Sequence, residues 1–433
     1  MKVSLLMSLV IAMAQNSALA LTLSEAQNKA LSQSPVYLKA ESQKNEAEAR
    51  LTESYSGFLP TLNAAATYLA DKKYVYTDIQ LGGSPASIPG VVPTTIYTLG
   101  INWVLFDGFA STNKYLASRS LQRAANNDLN WTAFSATRTA ALLYFKAAAA
   151  QEMLKVSELN LKALEDHLKD IQLFRKAGVS TNYDVLRVEV LTSEARSELM
   201  NAQDNVENTR DKLAEFLNQE SLDQLQTALP NLDGLRVDLN AIRLDQKQKS
   251  DLISSSQRSE AADYYSAASY SHWIPRLNVF GNWQSYNNRN DRFYDADNIR
   301  DAFQVGASLS WNIFDGMASY GKQKQMFEQK YQAELQDRTN QLKAKKDFDF
   351  WKRKFKYFQN LYFSKKGDIS KAAEAVRLAK EGHKVGSRTN TELLDAEADL
   401  FRARAGLLTA QIGFIEAAIN LEMATGLKIL DFN

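Results

Sequence analysis

Glu392, Asp395 and Asp399 stand at i, i+3 and i+7 in a stretch rich in Leu and Ala. A helix there puts the three carboxylates on one face, beside a packing stripe of Leu393, Leu394, Ala396 and Leu400. Acids gathered at a constriction select cations and bind divalent ions; the same spacing also describes an ordinary solvated helix face. Few other residues invite chemistry. The chain has no cysteine, which excludes disulfides, zinc thiolates and thiol nucleophiles. Its three histidines, His167, His272 and His383, lack any metal-ligand spacing. No nucleophile–base pairing or phosphate loop is visible, and a net charge of +1 gives no basic field for nucleic acid. An enzyme is therefore not expected, nor a cofactor or a metal.

The elements that must position those acids are duplicated. Trp103-Val104-Leu105-Phe106-Asp107-Gly108 reappears as Trp311-Asn312-Ile313-Phe314-Asp315-Gly316. Gly178-Val179-Ser180-Thr181-Asn182 reappears as Gly386-Ser387-Arg388-Thr389-Asn390. Both pairs share one offset of 208 residues (311 − 103 and 386 − 178). Equal spacing across both copies points to a continuous helix between the motifs, because an insertion would rotate every later side chain about the axis.

Helical composition covers Ser24 to Gly57, with a restart at Pro35, then Ala110 to Lys176, Asn182 to Asn218, Leu244 to His272, Ala318 to Lys384 and Asn390 to Thr425. At about 1.5 Å per residue the two longest span roughly 100 Å. A rod of antiparallel helices is expected, with the short helices stacked to match the long ones. Four segments instead alternate with period two. Leu62, Ala64, Ala66, Tyr68 and Ala70 share a face, as do Tyr97, Leu99, Ile101, Trp103 and Leu105. So do Leu277, Val279, Gly281 and Trp283, and Phe303, Val305, Ala307, Leu309, Trp311 and Ile313. Apolar residues facing out and small or polar ones facing in is the pattern of a membrane barrel, although a soluble sandwich alternates in the same way. The strands form two hairpins, 59–106 and 274–314, with polar connections at 71–96 and 285–300. Four strands cannot close a barrel, so strands must be pooled between chains.

The expected plan is a signal peptide at 1–20, with Lys2, an apolar run and Ala18-Leu19-Ala20. A first repeat at 21–218 has its tip near 178–184. An equatorial insertion at 219–243 is expected to bulge outward. A second repeat at 244–433 has its tip near 386–392. No apolar run after Ala20 is long enough for a membrane-spanning helix.

This organisation resembles the TolC family of outer-membrane efflux proteins over essentially the whole mature chain. The resemblance rests on Leu59 to Asn63, Ile274 to Asn278, the two Phe-Asp-Gly exits, and Val385-Gly386-Ser387-Arg388-Thr389-Asn390 followed by Leu393-Leu394-Asp395-Ala396. It implies a mainly α fold with a β-barrel portion: long antiparallel coiled-coil helices forming a periplasmic tunnel, and four strands per chain in a trimeric 12-stranded outer-membrane barrel. It further implies a homotrimer in outer-membrane lipid with a long periplasmic extension. The implied partners are a periplasmic adaptor and an inner-membrane transporter of RND, ABC or MFS type. The duct itself does no chemistry.

Residue by residue, the resemblance places Glu392 and Asp395 at an acidic pore constriction, with Glu392 where Asp is more usual. Arg388 matches a gate arginine whose partners are Asp184 and Asn182. His383 replaces the usual gate Tyr, which introduces the expectation of pH sensitivity. Gly178, Val179, Ser180, Thr181, Gly386, Ser387 and Thr389 match adaptor-contact tips. Drug efflux and type I secretion are not separated by this chain. The alternative is a trimeric coiled-coil stalk or adhesin with a membrane anchor, which predicts strands at one terminus only. A passive porin predicts strands throughout. The basic stretch 343–356 reads as solvated surface.

Overall fold

The computed structural model describes residues 20–68, 75–90, 95–222, 225–226, 229–233, 235, 238–287 and 299–429. The expected signal peptide lies outside them except for Ala20, as do Ala70 and loop residues 288–298. Seven α-helices are described: α1 (Leu23–Ser32), α2 (Pro35–Ser54), α3 (Ala110–Lys176), α4 (Asn182–Phe216), α5 (Ser250–Ser269), α6 (Ala318–Lys384) and α7 (Asn390–Thr425). Six strands accompany them: β1 (Thr61–Tyr68), β2 (Val75–Leu81), β3 (Ser84–Gly90), β4 (Thr95–Phe106), β5 (Arg276–Asn287) and β6 (Ile299–Ser310). The long helices α3 and α6 have 67 residues each, as the fixed offset requires. The chain divides into two compact units, one of Met1–Ser42, Asp128–Asp251 and Gln341–Asn433, the other of Gln43–Asn127 and Leu252–Asn340.

The second unit carries an antiparallel sheet in the order β1-β4-β5-β6. Its register sorts the side chains by face. Leu62, Ile101, Gly281 and Val305 lie in one cross-strand row, and Ala64, Leu99, Trp283 and Phe303 in the next. The opposite face carries Asn63, Gly100, Asn282 and Gln304, then Ala65, Thr98, Gln284 and Ala302. Phe280 is the large apolar exception on that face. Its ring lies over Gly306, where a Cβ would come within 2.9 Å of it. The apolar row is open to the surroundings, with Phe303 83% and Val305 78% exposed.

Two details of the strand regions differ from expectation. The connection 71–96 is not simply a loop. β2 and β3 pair across Gly82 and Gly83, both with positive φ, as a two-residue hairpin turn requires. Pro85 and Pro89 are tolerated because β3 has a partner on one side only. β6 stops at Ser310, so Trp311 and Ile313 are not strand residues. Ser310 pairs with Arg276, and Pro275 beyond it has no N–H to extend the ladder. The equivalent β4 runs on to Phe106 through a bulge at Val104/Phe106.

Both Asp-Gly exits are helix starts in disguise. Gly108 and Phe109, and Gly316 and Met317, take positive φ in succession. Asp107 Oδ2 then accepts the N–H (2.8 Å) and hydroxyl (2.6 Å) of Ser111. Asp315 accepts the same pair from Ser319. These contacts satisfy donors that the first turn of α3 or α6 leaves open.

In the first unit, Tyr144, Phe145, Leu213, Phe355, Phe414, Ile415 and Ile419 are fully buried in one core. The stretch 219–243 does not stand free of it. Leu222, Leu225, Leu229, Leu232 and Leu235 pack on that core. The Tyr362 hydroxyl donates to Asp233 (3.2 Å), Lys366 pairs with the same carboxylate, and Gln411 donates to the Pro230 carbonyl (3.0 Å). Irregular structure also persists to Lys249, so α5 begins six residues later than its composition suggests. Asp245 causes this: its side chain accepts the Lys247 N–H (2.9 Å) in an Asx-type turn that competes with helix. α7 is long enough and apolar enough in composition to match a membrane span, although it holds no unbroken apolar run. Half of that window is buried within the protein, and its apolar side chains build the core.

Candidate functional site at the helical tips

The two tips of the first unit are built alike. At the end of α3, Gly178 (φ +77°) donates to the Arg175 carbonyl (3.0 Å) and Val179 to that of Phe174 (2.9 Å). At the end of α6, Gly386 (φ +75°) donates to His383 (3.1 Å) and Ser387 to Gly382 (2.9 Å). This is the Schellman arrangement, which needs a left-handed residue after the helix. Each turn passes at once into a capping box. Thr181 Oγ1 accepts the Asp184 N–H (3.2 Å), and Asp184 Oδ2 accepts the Thr181 N–H (3.0 Å) and hydroxyl (2.6 Å). Thr389 and Glu392 repeat it at 3.2, 2.8 and 3.1 Å.

Those hydrogen bonds hold both carboxylates in the charged form. Glu392 is pushed down to about 2, first by the Thr389 N–H and then by Arg388. The Thr181 hydroxyl, foremost, lowers Asp184. Arg388 Nη1, in the turn before α7, meets Glu392 Oε1 in its first turn at 2.7 Å. Within one chain Arg388 therefore pairs with Glu392, not with Asp184 or Asn182 as the sequence suggested. Asp184 is already taken by Thr181, Ser180 and Asn390, and Asn182 is exposed. Asp395 shares the face of Glu392 and lies 3.8 Å from Arg187 Nη2. Val179, Thr181, Gly386, Ser387 and Thr389 are exposed, as the tip reading expects, and Ser180 is half-buried.

Behind the turns lies a polar cluster that the sequence did not announce. Asn390, buried, has Oδ1 2.6 Å from His167 Nε2 and donates from Nδ2 to Asp184 Oδ1 (3.4 Å). It thus links α3, α7 and the first turn of α4. The His383 ring lies 5.9 Å from that of His167 and 5.8 Å from Phe174, with Nδ1 3.3 Å from the Arg388 carbonyl. Burial, above all, lowers the His167 pKa. Arg187 Nη1 donates to Thr391 Oγ1 (2.9 Å), a second tie between tips. Farther along α7, burial raises Glu397 to about 7. It lines a cavity of about 260 Å³ with Leu164, Leu191, Leu394 and Phe401. Arg187 was findable: it lies one offset from Asp395 (395 − 187 = 208), so the repeat carries opposite charges at equivalent positions. His167 had no such signal, since Ala375 is its equivalent (375 − 167 = 208).

The family model for outer membrane efflux proteins matches residues 26–219 and 242–427. The chain belongs to the outer membrane efflux protein family. The unmatched interval coincides with the irregular stretch between α4 and α5. The outer membrane protein TolC of Vibrio cholerae is 23% identical over 413 residues, 93% of this chain and 90% of that protein. The Campylobacter jejuni CmeC outer-membrane channel superposes with a TM-score of 0.80 at 16% identity, over 93% of this chain and 85% of that one. The outer-membrane channel OprN gives 0.79 at 19%, over 93% and 89%. The Neisseria gonorrhoeae MtrE channel, described in its open state, gives 0.73 at 17%, over 93% and 88%. This outer membrane efflux protein is thus a TolC-family channel protein of the outer membrane, not an enzyme. Its strands are the barrel portion and its long helices the tunnel portion of that fold.

Proposed function

We propose that the chain is, as a homotrimer, the exit duct of a tripartite efflux pump or a type I secretion system, gated at its periplasmic tip. The observation that carries the reading is the open, one-sided sheet. Among the described residues its edge strands β1 and β6 have no outer partner, and an open edge is untenable in lipid. Three copies supply 3 × 4 = 12 strands, enough for a closed barrel. An inner-membrane transporter, of RND, ABC or MFS type, supplies the energy, and a periplasmic adaptor engages the exposed turns at Gly178 to Thr181 and Gly386 to Thr389.

Glu392 and Asp395 form carboxylate rings at the entrance, each offset by an arginine of its own chain, Arg388 or Arg187. The gate comprises Arg388, His383 and Asp184, held through local contacts that an adaptor can outcompete. The open state of the MtrE channel supports such gating in a relative of the same fold. Cross-linking in mild detergent should return a trimer, and a stable monomer or dimer sinks the proposal. In bilayers, Glu392→Ala with Asp395→Ala should lose cation selectivity while the trimer persists. Unchanged selectivity places the two acids off the pore.

A further inference from the structure

A hydrogen-bonded chain runs through the buried side of the tips. Asn390 Nδ2 donates to Asp184, so Asn390 Oδ1 must accept, and the 2.6 Å contact makes His167 Nε2 the donor. His167 therefore carries a proton on Nε2, and burial, which outweighs that hydrogen bond, favours the neutral ring. It is 6% exposed, and the His383 ring stands 5.9 Å away. The groups facing it come from each packed element. Asp170 on α3 favours a charge on His167, while Lys380 and His383 on α6 oppose one. Asn390 on α7 accepts its proton, and Asp184 on α4 lies beyond Asn390. His383 Nε2 is itself buried without a hydrogen-bond partner.

We propose that His167 is a proton-sensitive latch: its protonation drives the end of α3 out of contact with α6 and α7 and loosens both tip turns. An imidazolium has to be hydrated or paired, and this buried pocket offers one amide oxygen, with Asp170 favouring the charge against a second imidazole and a lysine. The sign follows from burial, which lowers the pKa of the closed form below the usual 6.5. The closed tip is at full strength above pH 6.5 and loses it as pH falls below that value. Each unit of separation between the closed and open values is worth about tenfold in the opening equilibrium once both are protonated. The sensor is His167, which the repeat does not duplicate, and not His383. Its consequence for transport rests on the gating proposed above, and its existence does not.

Hydrogen exchange of the full-length protein in detergent, at pH 7.5 and 5.5 and normalised for chemical exchange, should show segments 165–185 and 380–395 opening several-fold more at pH 5.5. His167→Gln keeps an N–H donor for Asn390 and should abolish the difference; the exposed His272→Gln should retain it. Ring chemical shifts of the unmodified protein give a reading free of any folding defect, with His167 titrating below the usual 6.5. The proposal is overturned if wild-type tips exchange alike at both pH values, if His167→Gln keeps the acid response, or if His167 titrates at or above 6.5. An acid response lost in His167→Gln with pH-independent channel conductance upholds the latch and overturns the gating reading instead.

Discussion

The turns at 177–181 and 385–389 share their backbone, their left-handed glycine and their capping box, yet differ in what the box carboxylate does with its remaining oxygen. Asp184 Oδ1 reaches across to Asn390, whereas Glu392 Oε1 turns back to Arg388 in its own turn. Both carboxylates meet the residue before the cap, Glu392 through Oε1 to the long Arg388 and Asp184 through Oδ2 to the Ser180 hydroxyl (3.3 Å), which leaves Asp184 Oδ1 facing the neighbouring helix. Asn390 is buried between histidine and aspartate, while its equivalent Asn182 is exposed. One tip is thereby the socket and the other the plug. Duplication preserved the local hydrogen bonds, and burial decided which copy acquired a tertiary role.

The largest expected effect comes from that asymmetry. Asn390→Leu strands a buried imidazole and a carboxylate and should cost about 1–3 kcal/mol, seen in thermal melting of the assembled protein. Asn182→Leu, at an exposed position, should cost within about 0.5 kcal/mol. Equal costs erase the distinction between socket and plug.

Next come the caps, where the tips should behave as twins. Thr181→Ala and Thr389→Ala should each cost about 1 kcal/mol, with hydrogen exchange rising in the first turn of α4 or α7 respectively. A cap that proves silent in one copy breaks the local equivalence.

Glu397 and its equivalent Glu189 (397 − 189 = 208) sharpen the contrast through pH. Glu397 keeps its proton in the folded protein to about pH 7, so stability falls as pH rises from 4.5 through 7, the unfolded chain ionising first. Glu397→Gln should raise the melting temperature at pH 8 and leave it nearly unchanged at pH 4. Glu189→Gln, at an exposed position, should change stability by no more than about 0.5 kcal/mol, as surface substitutions do. Glu392 has the opposite sign. Its stabilising contribution is present above 4.5 and fades as pH falls towards about 2. A Glu392→Gln variant should therefore lose the acid limb of the local exchange profile at 385–392.

The smallest effect is expected of Arg388→Ala. Its ion pair is solvent-exposed and screened, so melting should barely move. Channel conductance is the sensitive readout there. An unchanged conductance removes Arg388 from the gate.

Much of this protein was legible in its residues. The 208-residue offset and the scarcity of Gly and Pro in the long interiors set the ends of α3 and α6, because helix continuity is a local and additive property. Period-two alternation predicted both faces of β1, β4, β5 and β6, since a strand can only alternate. Less was legible where a choice depended on partners. The end of β6 was set by its neighbour's proline, and the late start of α5 by one aspartate side chain. The hairpin of β2 and β3 was announced by Gly82-Gly83 between alternating residues, but two prolines obscured it. At the tips, the capping residues could be read from Thr-x-x-Asp and Thr-x-x-Glu. The partners of Arg388 and Asp184 could not, because two turns offer several opposite charges within reach.

The chain alone thus determined its repeat, its helices, the sidedness of its sheet and the residue types at its tips, all of which follow from spacing along one backbone. Tertiary structure alone decided that α7 spends its apolar length on a protein core, that Asn390 and not Asn182 is buried, and that His167 stands against His383. Each depends on which surfaces meet across hundreds of residues, and burial acts on a side chain only after those surfaces have closed over it.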